Sequence, residues 1–248
     1  MKAPRIAIPD PNLPDREYSG RSWPQYARAV ESVGGVPVKI ALTESPMHVA
    51  QLVASCEGVL LPGSPADVNP QKYGEEAEPE CAAPDAAREA VDELLLQDAS
   101  NLYKPLLGIC YGFQALNVWH GGTLTQHLRT GIDHSAGRAV QDAHIIEVDA
   151  RSRLRRFLGL GSKMAVQVNS SHHQAVAILG DGLVRAAWSP EDGVVEAAEG
   201  HGDQFLVGVQ WHPERSVEQS RAAQCLFQAF IDAAAAWEPR MISESVAD

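Results

Sequence analysis

Cysteine is scarce in this sequence, and its spacing argues against two kinds of cross-linked fold. No two of the four cysteines in 248 residues form a Cys-x-x-Cys pair, and no histidine stands near them at zinc-finger spacing. Neither a disulfide framework nor a metal site is therefore indicated, and no cofactor is expected. We interpret all four as reduced thiols: Cys56, Cys81, Cys110 and Cys225.

Long apolar runs and an excess of positive charge are also lacking. No run approaches the roughly 20 residues of a membrane span, and the first apolar stretch is too short for a signal peptide. The chain holds 20 basic and 32 acidic residues, which gives a formal net charge of −12 at pH 7. Such a charge repels nucleic-acid backbones and anionic membrane surfaces. We expect a cytoplasmic protein that binds neither nucleic acid nor membrane.

Short apolar runs alternate with segments of helical period, which predicts an α/β domain whose sheet is covered by helices. Strands are predicted at 5–9, 36–40, 58–61 and 106–109, then at 145–148, 165–168, 183–187, 194–198 and 205–210, where several are spaced like antiparallel pairs. Helices are predicted at 22–33, 45–54, 84–97, 113–120 and 217–236. Residues 64–83 are irregular. With no repeat or linker, residues 1–238 are expected to form one domain, followed by a poorly ordered polar tail at 239–248.

A candidate nucleophile lies where a predicted strand gives way to a helix. The segment Gly108-Ile109-Cys110-Tyr111-Gly112 has the form Gly-x-nucleophile-x-Gly, which is typical of a strained elbow that presents its side chain to solvent. The N-terminus of the following helix favours thiolate over thiol. The alternative is a small buried hydrophobic residue, and we prefer that interpretation for the other three cysteines, which no such elbow surrounds.

A cysteine nucleophile needs an imidazole base and a group that orients it. Both are present in Gln210-Trp211-His212-Pro213-Glu214, directly after a predicted strand. In an extended backbone residues two apart point the same way, so Glu214 is expected to lie beside His212. Six other histidines have no comparable neighbours and are interpreted as surface or hydrogen-bonded structural residues: His48, His120, His127, His134, His144 and His201.

Attack on an amide carbonyl also requires donors for the oxyanion. In an elbow, one donor is the backbone N–H that follows the nucleophile, here Tyr111. The second is expected from Gly63, which ends a buried strand, although Pro-Gly alone also indicates a simple turn. The polar segment Asn169-Ser170-Ser171-His172-His173-Gln174 suits a substrate-contact loop, and a capped turn explains it equally well.

Three segments, in order and spacing, resemble the class I glutamine amidotransferase superfamily: 61–64, 108–114 and 208–214. Three more resemble its stand-alone γ-glutamyl-γ-aminobutyrate hydrolases: 64–74, 169–174 and 189–196. The resemblance covers nearly the whole chain. It implies a flavodoxin-like three-layer sandwich with a central mixed, mostly parallel sheet.

The resemblance also implies roles for individual residues. It places Cys110, His212 and Glu214 in a catalytic triad and Gly63 and Tyr111 in the oxyanion hole. Substrate-binding roles follow for Gln114, Asn169, Ser170 and His172. The sequence departs from the family at Tyr111, where such hydrolases often carry Arg, and over residues 10–21.

Three functions from different classes fit these features. The first is an independent hydrolase that releases glutamate from a small γ-glutamyl amide, such as γ-glutamyl-γ-aminobutyrate in polyamine breakdown, and a homodimer is compatible with it. The second is a glutaminase subunit that delivers ammonia to a separate synthetase chain. The third is a non-enzymatic thiol protein that senses oxidation or binds a partner. Since a sensor needs no proton donor for a leaving group, the His212–Glu214 pair favours an enzyme.

Overall fold

The parallel core of the sheet contains five strands in the order β2-β1-β3-β4-β11. The structure is a computed structural model that describes residues 2–239. The five strands are β1 (Arg5–Pro9), β2 (Val36–Ile40), β3 (Gly58–Leu61), β4 (Leu106–Ile109) and β11 (Leu206–Val209). All four pairings are parallel. The strands read as short, nearly continuous apolar runs because both faces of the core are covered.

Antiparallel strands extend this core beyond β11. They are β5 (Thr123–Thr125), β6 (His144–Val148), β7 (Ala165–Val168), β8 (Ala175–Ile178), β9 (Leu183–Trp188) and β10 (Val195–Gly200). The order continues β11-β10-β9-β6-β7, while β8 pairs with both β10 and β5. The predicted mixed sheet is confirmed, with its parallel part confined to the core. Strands β5 and β8 were not predicted, because each is short and lacks a clear turn signal on both sides.

Helices cover both faces, so the predicted three-layer architecture is confirmed. They are α1 (Arg16–Ser32), α2 (Pro46–Ala54), α3 (Ala86–Leu102), α4 (Tyr111–Trp119), α5 (Arg153–Phe157) and α6 (Arg221–Ala235). One buried cluster joins the sheet to α1, α5 and α6, and a second joins it to α2, α3 and α4. Helix α5 was not predicted, because its five residues are too few to show a helical period in the sequence.

Helix α1 begins six residues before its predicted start. The side chain of Asp15 caps it by accepting a hydrogen bond from the N–H of Tyr18, and Pro24 lies inside the helix instead of near its beginning. A proline ring crowds the carbonyl four residues earlier, which here belongs to Gly20. The helix nevertheless continues through the proline to Ser32.

The irregular segment 64–83 is confirmed, apart from one 3₁₀ turn at Pro70–Tyr73. Its backbone is anchored by two side chains. Gln126 accepts from the N–H of Glu78 at 2.8 Å, and Asp67 accepts from the N–H of Ala82 at 2.7 Å. Most of the tail predicted at 239–248 lies outside the described residues. None of the helices described over residues 2–239 is both long and apolar enough to cross a membrane.

Candidate active site

Three neighbouring strands bring the predicted site residues to one edge of the sheet. Strand β4 lies between β3 and β11, and all three run parallel. Gly63, Cys110 and His212 each follow the carboxyl end of one of these strands. Since carboxyl ends of adjacent parallel strands meet at the same edge, residues about a hundred positions apart become neighbours.

Cys110 occupies a strained elbow between β4 and α4, as predicted. Its backbone has φ 52° and ψ −108°, a region that costs a residue with a side chain roughly 1–3 kcal/mol. The N–H of Cys110 donates to the carbonyl of Val209 at 2.8 Å, which fixes the elbow to β11. A Cβ on Gly112 would lie 2.1 Å from the carbonyl oxygen of Leu61, so only glycine fits this close approach.

The expectation of a solvent-presented thiolate is wrong for the resting protein. Cys110 is only 6% exposed. Burial raises the pKa of its thiol to about 12, although the positive charge of Arg215 and the N–H of Tyr111 both act in the opposite direction. Removal of the thiol from water therefore outweighs the helix N-terminus. The resting nucleophile is a thiol and needs a base to remove its proton.

His212 and Glu214 form the predicted pair. Nδ1 of His212 lies 2.8 Å from Oε1 of Glu214, and both side chains are almost fully buried. The expected extended backbone is wrong, because Pro213–Arg215 form a 3₁₀ turn, yet the turn still brings the carboxylate to the ring. With Nδ1 occupied by Glu214, Nε2 is left without a hydrogen-bond partner. The free nitrogen is the one available to a substrate or to the thiol.

Burial sets the charge states of this pair. Burial lowers the pKa of His212 even though Glu214 acts to raise it. Burial alone would raise the pKa of Glu214, but the His212 ring beside it brings the value below the usual range. The pair is therefore a neutral imidazole held by a carboxylate, which is the state that a general base requires.

The two reactive side chains converge at Gly63. A Cβ placed on Gly63 would lie 2.9 Å from Cε1 of His212 and 3.6 Å from Cβ of Cys110. The thiol and the imidazole thus flank the same point, and glycine is required there to leave them room. Asn169 holds the base from behind. Its Nδ2 donates to the carbonyl of His212 at 2.8 Å, and its Oδ1 accepts from the N–H of His212 at 2.9 Å.

The two predicted oxyanion donors differ in their present partners. The N–H of Tyr111 acts on the Cys110 thiol. The N–H of Gly63 instead donates to the hydroxyl of Tyr26 at 3.0 Å, a buried side chain of α1. The N–H of Gly63 is therefore already bonded, and a substrate oxygen would have to replace the Tyr26 hydroxyl.

Arg88 fixes the orientation of the same peptide group, and the sequence reasoning missed it. This fully buried side chain of α3 donates to the carbonyl of Pro62 at 2.7 Å. The C=O and N–H of a trans peptide point in opposite directions, so this bond aims the N–H of Gly63 away from Arg88. Asp92 balances the charge, with its Oδ1 2.8 Å from Nε. The signal in the sequence was an Arg-Asp pair four residues apart on the apolar stripe of a helix.

The four predicted substrate-binding side chains are all buried and have partners within the protein. Gln114 donates to the carbonyl of Gln174 at 3.0 Å, and Ser170 donates to the carbonyl of His134 at 2.8 Å. Asn169 is occupied by His212, and His172 is turned toward the buried carboxylate of Glu196. These contacts favour a positioning role, and contact with a substrate stays a prediction.

An elbow cysteine, a histidine–carboxylate pair and a flavodoxin-like strand order together are typical of the class I glutamine amidotransferase-like group. Two solved structures share the fold. A glutamine amidotransferase from Methylobacillus flagellatus superposes with a TM-score of 0.61, covering 97% of both chains at 14% identity. A Thermoplasma acidophilum protein described as a candidate GMP synthase component superposes with a TM-score of 0.64, covering 95% of this chain and 96% of that one at 15% identity.

The chain belongs to the Peptidase C26 family, whose model matches residues 14–214. A Mycobacterium tuberculosis (strain ATCC 25618 / H37Rv) protein named as a candidate glutamine amidotransferase is 36% identical over 219 residues, covering 87% of this chain and 68% of the relative. The γ-glutamyl-γ-aminobutyrate hydrolase PuuD of Escherichia coli (strain K12) is 32% identical over 220 residues, covering 84% of each chain. The predicted family is thereby confirmed.

Proposed function

We propose that this chain hydrolyses a γ-glutamyl amide bond through a thioester on Cys110. One observation carries the proposal. His212, held by Glu214, flanks the same point as Cys110, and its Nε2 has no other partner. Leaving a buried imidazole nitrogen without a hydrogen-bond partner costs stability, so its presence calls for an explanation. Proton transfer to and from the neighbouring thiol is such an explanation.

The proposed reaction has two halves. In the first, His212 takes the proton of the Cys110 thiol as the sulfur attacks the γ-carbonyl carbon, and then gives it to the nitrogen as the C–N bond breaks. The amine leaves and a thioester remains. In the second half, His212 takes a proton from water, whose oxygen attacks the thioester. The C–S bond breaks, the sulfur regains a proton, and glutamate is released.

The thiol pKa of about 12 fits this order of events. Since the resting sulfur keeps its proton, nucleophile and base must act together once a substrate is in place. The backbone N–H of Tyr111 is the first proposed donor to the oxyanion. The N–H of Gly63, aimed by Arg88, is the second after the Tyr26 hydroxyl yields.

The γ-glutamyl part of the proposal draws on the relatives. The relative named γ-glutamyl-γ-aminobutyrate hydrolase matches most of this chain at 32% identity. The proposed substrate is therefore a small molecule whose acyl part is glutamate. Because nothing in the proposed reaction calls for a second protein, the purified chain is expected to act alone.

The experiment is a glutamate-release assay on the purified protein with a panel of γ-glutamyl amides that includes glutamine. Cys110→Ala is expected to lower kcat at least about 10⁴-fold while keeping the circular dichroism spectrum of the wild type. Cys225→Ala is the matched control, because Cys225 is also a free thiol but lies on α6 away from the elbow. Mass spectrometry of the quenched wild type should show a glutamyl adduct on Cys110.

Two outcomes would contradict the proposal. Hydrolysis that persists in Cys110→Ala would remove Cys110 as the nucleophile. A wild type that leaves every γ-glutamyl amide intact, but hydrolyses glutamine once a synthetase chain is added, would instead identify the glutaminase subunit that the sequence left open.

A further inference from the structure

A second buried carboxylate, Glu196 on β10, is surrounded by imidazole nitrogens. Its Oε1 lies 3.4 Å from Nδ1 of His134, 3.5 Å from Nε2 of His144 and 3.6 Å from Nε2 of His172. All four residues are more than nine-tenths buried, with Glu196 fully so. None of the three nitrogens has a hydrogen-bond partner, and neither oxygen of Glu196 has one. Five buried polar atoms without partners in one place require an explanation.

The outer nitrogen of each ring shows which way its lone pair points. Nε2 of His134 lies 2.9 Å from Oδ2 of Asp192. Nδ1 of His172 lies 2.9 Å from the carbonyl of Gln174, and Nδ1 of His144 lies 3.2 Å from the carbonyl of Ile145. In a neutral ring, an oxygen acceptor at this position holds the N–H on the outer side. In that state of the rings, the inner nitrogens direct lone pairs at Glu196.

Lone pairs that face a carboxylate repel it unless a cation lies between them. A proton on one ring could bridge one nitrogen to Glu196, but it would leave the other two nitrogens unsatisfied. A metal ion satisfies several donors at once. In a tetrahedron with bonds of about 2.0–2.2 Å, donor atoms are about 3.3–3.6 Å apart. The three distances from Oε1 of Glu196 lie in that range.

The outer contacts match a known feature of metal sites. A histidine that binds metal almost always donates its other N–H to a carboxylate, a backbone carbonyl or water, which orients the ring. His134 has the carboxylate of Asp192 in this position, while His144 and His172 each have a backbone carbonyl. The outer contacts of the two proposed histidine ligands, His134 and His144, are thus of the kind that metal-binding histidines make.

We propose that His134, His144 and Glu196 bind a divalent transition-metal ion of the zinc class. Their donor atoms lie within 4.8 Å of one another, and His172 contacts the same oxygen of Glu196 without belonging to that set. Imidazole and carboxylate ligands without a thiolate suit zinc and its neighbours in the first transition row.

The position of the site indicates what the ion would do. His134 belongs to the connection between β5 and β6, His144 to β6 and Glu196 to β10, and His172 beside them belongs to the connection between β7 and β8. One ion on His134, His144 and Glu196 would therefore tie three of these four segments together. The same segments support the candidate active site, because Glu196 accepts from the N–H of Gln210 through its backbone carbonyl, and Asn169 holds His212. The ion would stabilise this half of the sheet.

The test is a zinc titration of chelator-treated protein in the Cys110→Ala background. That background removes the thiol beside His212, which could otherwise bind zinc itself. We expect one zinc ion per chain after desalting, a rise in the midpoint of thermal unfolding, and strong visible absorption from a four-coordinate site when cobalt(II) replaces zinc. None of these measurements depends on hydrolysis, so the metal site and the proposed reaction can fail separately.

Variants locate the bound ion. Loss of an orienting partner typically costs about 10–100-fold in metal affinity, so Asp192→Asn should weaken zinc binding to that extent and Glu196→Gln by more. His144→Gln serves as a second ligand variant if Glu196→Gln does not fold. The matched control is His48→Gln, which removes a histidine paired with Glu44 at 2.7 Å on the surface. Its affinity should equal that of the parent.

Two results would overturn the proposal. One is a folded parent that binds no zinc at micromolar concentration. The other is stoichiometric binding that folded Glu196→Gln and His144→Gln variants leave unchanged, because the ion would then be bound elsewhere.

Discussion

The parallel and antiparallel parts of the sheet each bury a histidine–carboxylate group, and the two groups differ in geometry. At the edge of the parallel part, His212 and Glu214 make a direct 2.8 Å contact, which leaves the other ring nitrogen without a hydrogen-bond partner. In the antiparallel part, three imidazole nitrogens stand 3.4–3.6 Å from one oxygen of Glu196 without a hydrogen bond. A direct contact orients an imidazole as a base, whereas several nitrogens around one carboxylate oxygen suit a cation.

The comparison also shows how differently two sites can be recorded in a sequence. His212 and Glu214 are two positions apart, and a single turn brings them together. His134, His144, His172 and Glu196 come from four segments and meet only after the strands have paired. The first group can therefore be predicted from local spacing in the sequence. The second group can be recognised only when the fold is known.

The largest expected effect separates the two groups by function. Glu214→Gln is expected to lower kcat by about 10⁴-fold, because an amide at this position no longer holds the correct tautomer of His212. Zinc binding in the same variant should be unchanged. Glutamate release and zinc titration of both Glu214→Gln and Glu196→Gln would check this. Equal losses of activity in the two variants would show that the groups act as one site.

A smaller effect is expected from a change at Tyr26. It tests whether the N–H of Gly63, at the edge of the parallel part, must leave the Tyr26 hydroxyl before it can bind the oxyanion. Tyr26→Phe frees the N–H of Gly63 from the hydroxyl that now accepts it. We expect kcat/KM to rise between about twofold and tenfold, the factor for a net hydrogen bond of about 0.5–1.5 kcal/mol. A steady-state comparison with Tyr103→Phe, an exposed tyrosine that follows α3 near the amino end of β4, would check it. A large fall in kcat would show instead that the Tyr26 hydroxyl itself donates to the substrate.

The smallest effect concerns pH. His212 acts as a base only when neutral, and burial lowers its pKa, so activity should be lost on acidification only below the usual histidine range. An imidazole with an unperturbed pKa of about 6.5 would be only about one quarter neutral at pH 6. We expect kcat/KM at that pH to stay above this fraction of its neutral value. An acid limb centred above 6.5 would contradict the buried, neutral state.

Much of the parallel core could be predicted from the sequence because its signals are local. The runs at 5–9, 36–40, 58–61 and 106–109 match the observed strands, since buried parallel strands are short apolar runs with turn residues at their ends. The elbow around Cys110 was predictable for the same reason, because five consecutive residues contain it. The structure shows the strained backbone of Cys110 and the close contacts of the flanking glycines that this pattern predicts.

Three features could not be predicted because they depend on tertiary packing. The protonation state of Cys110 is set by burial, which a helix N-terminus in the sequence does not reveal. The present partner of Gly63 is a tyrosine 37 positions away. Arg88 looks like one more charged residue of a helix until Pro62 is placed against it. In each case the decisive neighbour is remote in sequence.

The burial of Cys110 has a consequence for the lifetime of the protein under oxidative stress. Peroxides attack thiolates that they can reach, and susceptibility follows both ionisation and accessibility. A sulfur with a pKa of about 12 on a residue that is 6% exposed offers neither. The resting protein therefore keeps its nucleophile chemically intact between substrates, and the chain is poorly suited to sensing hydrogen peroxide.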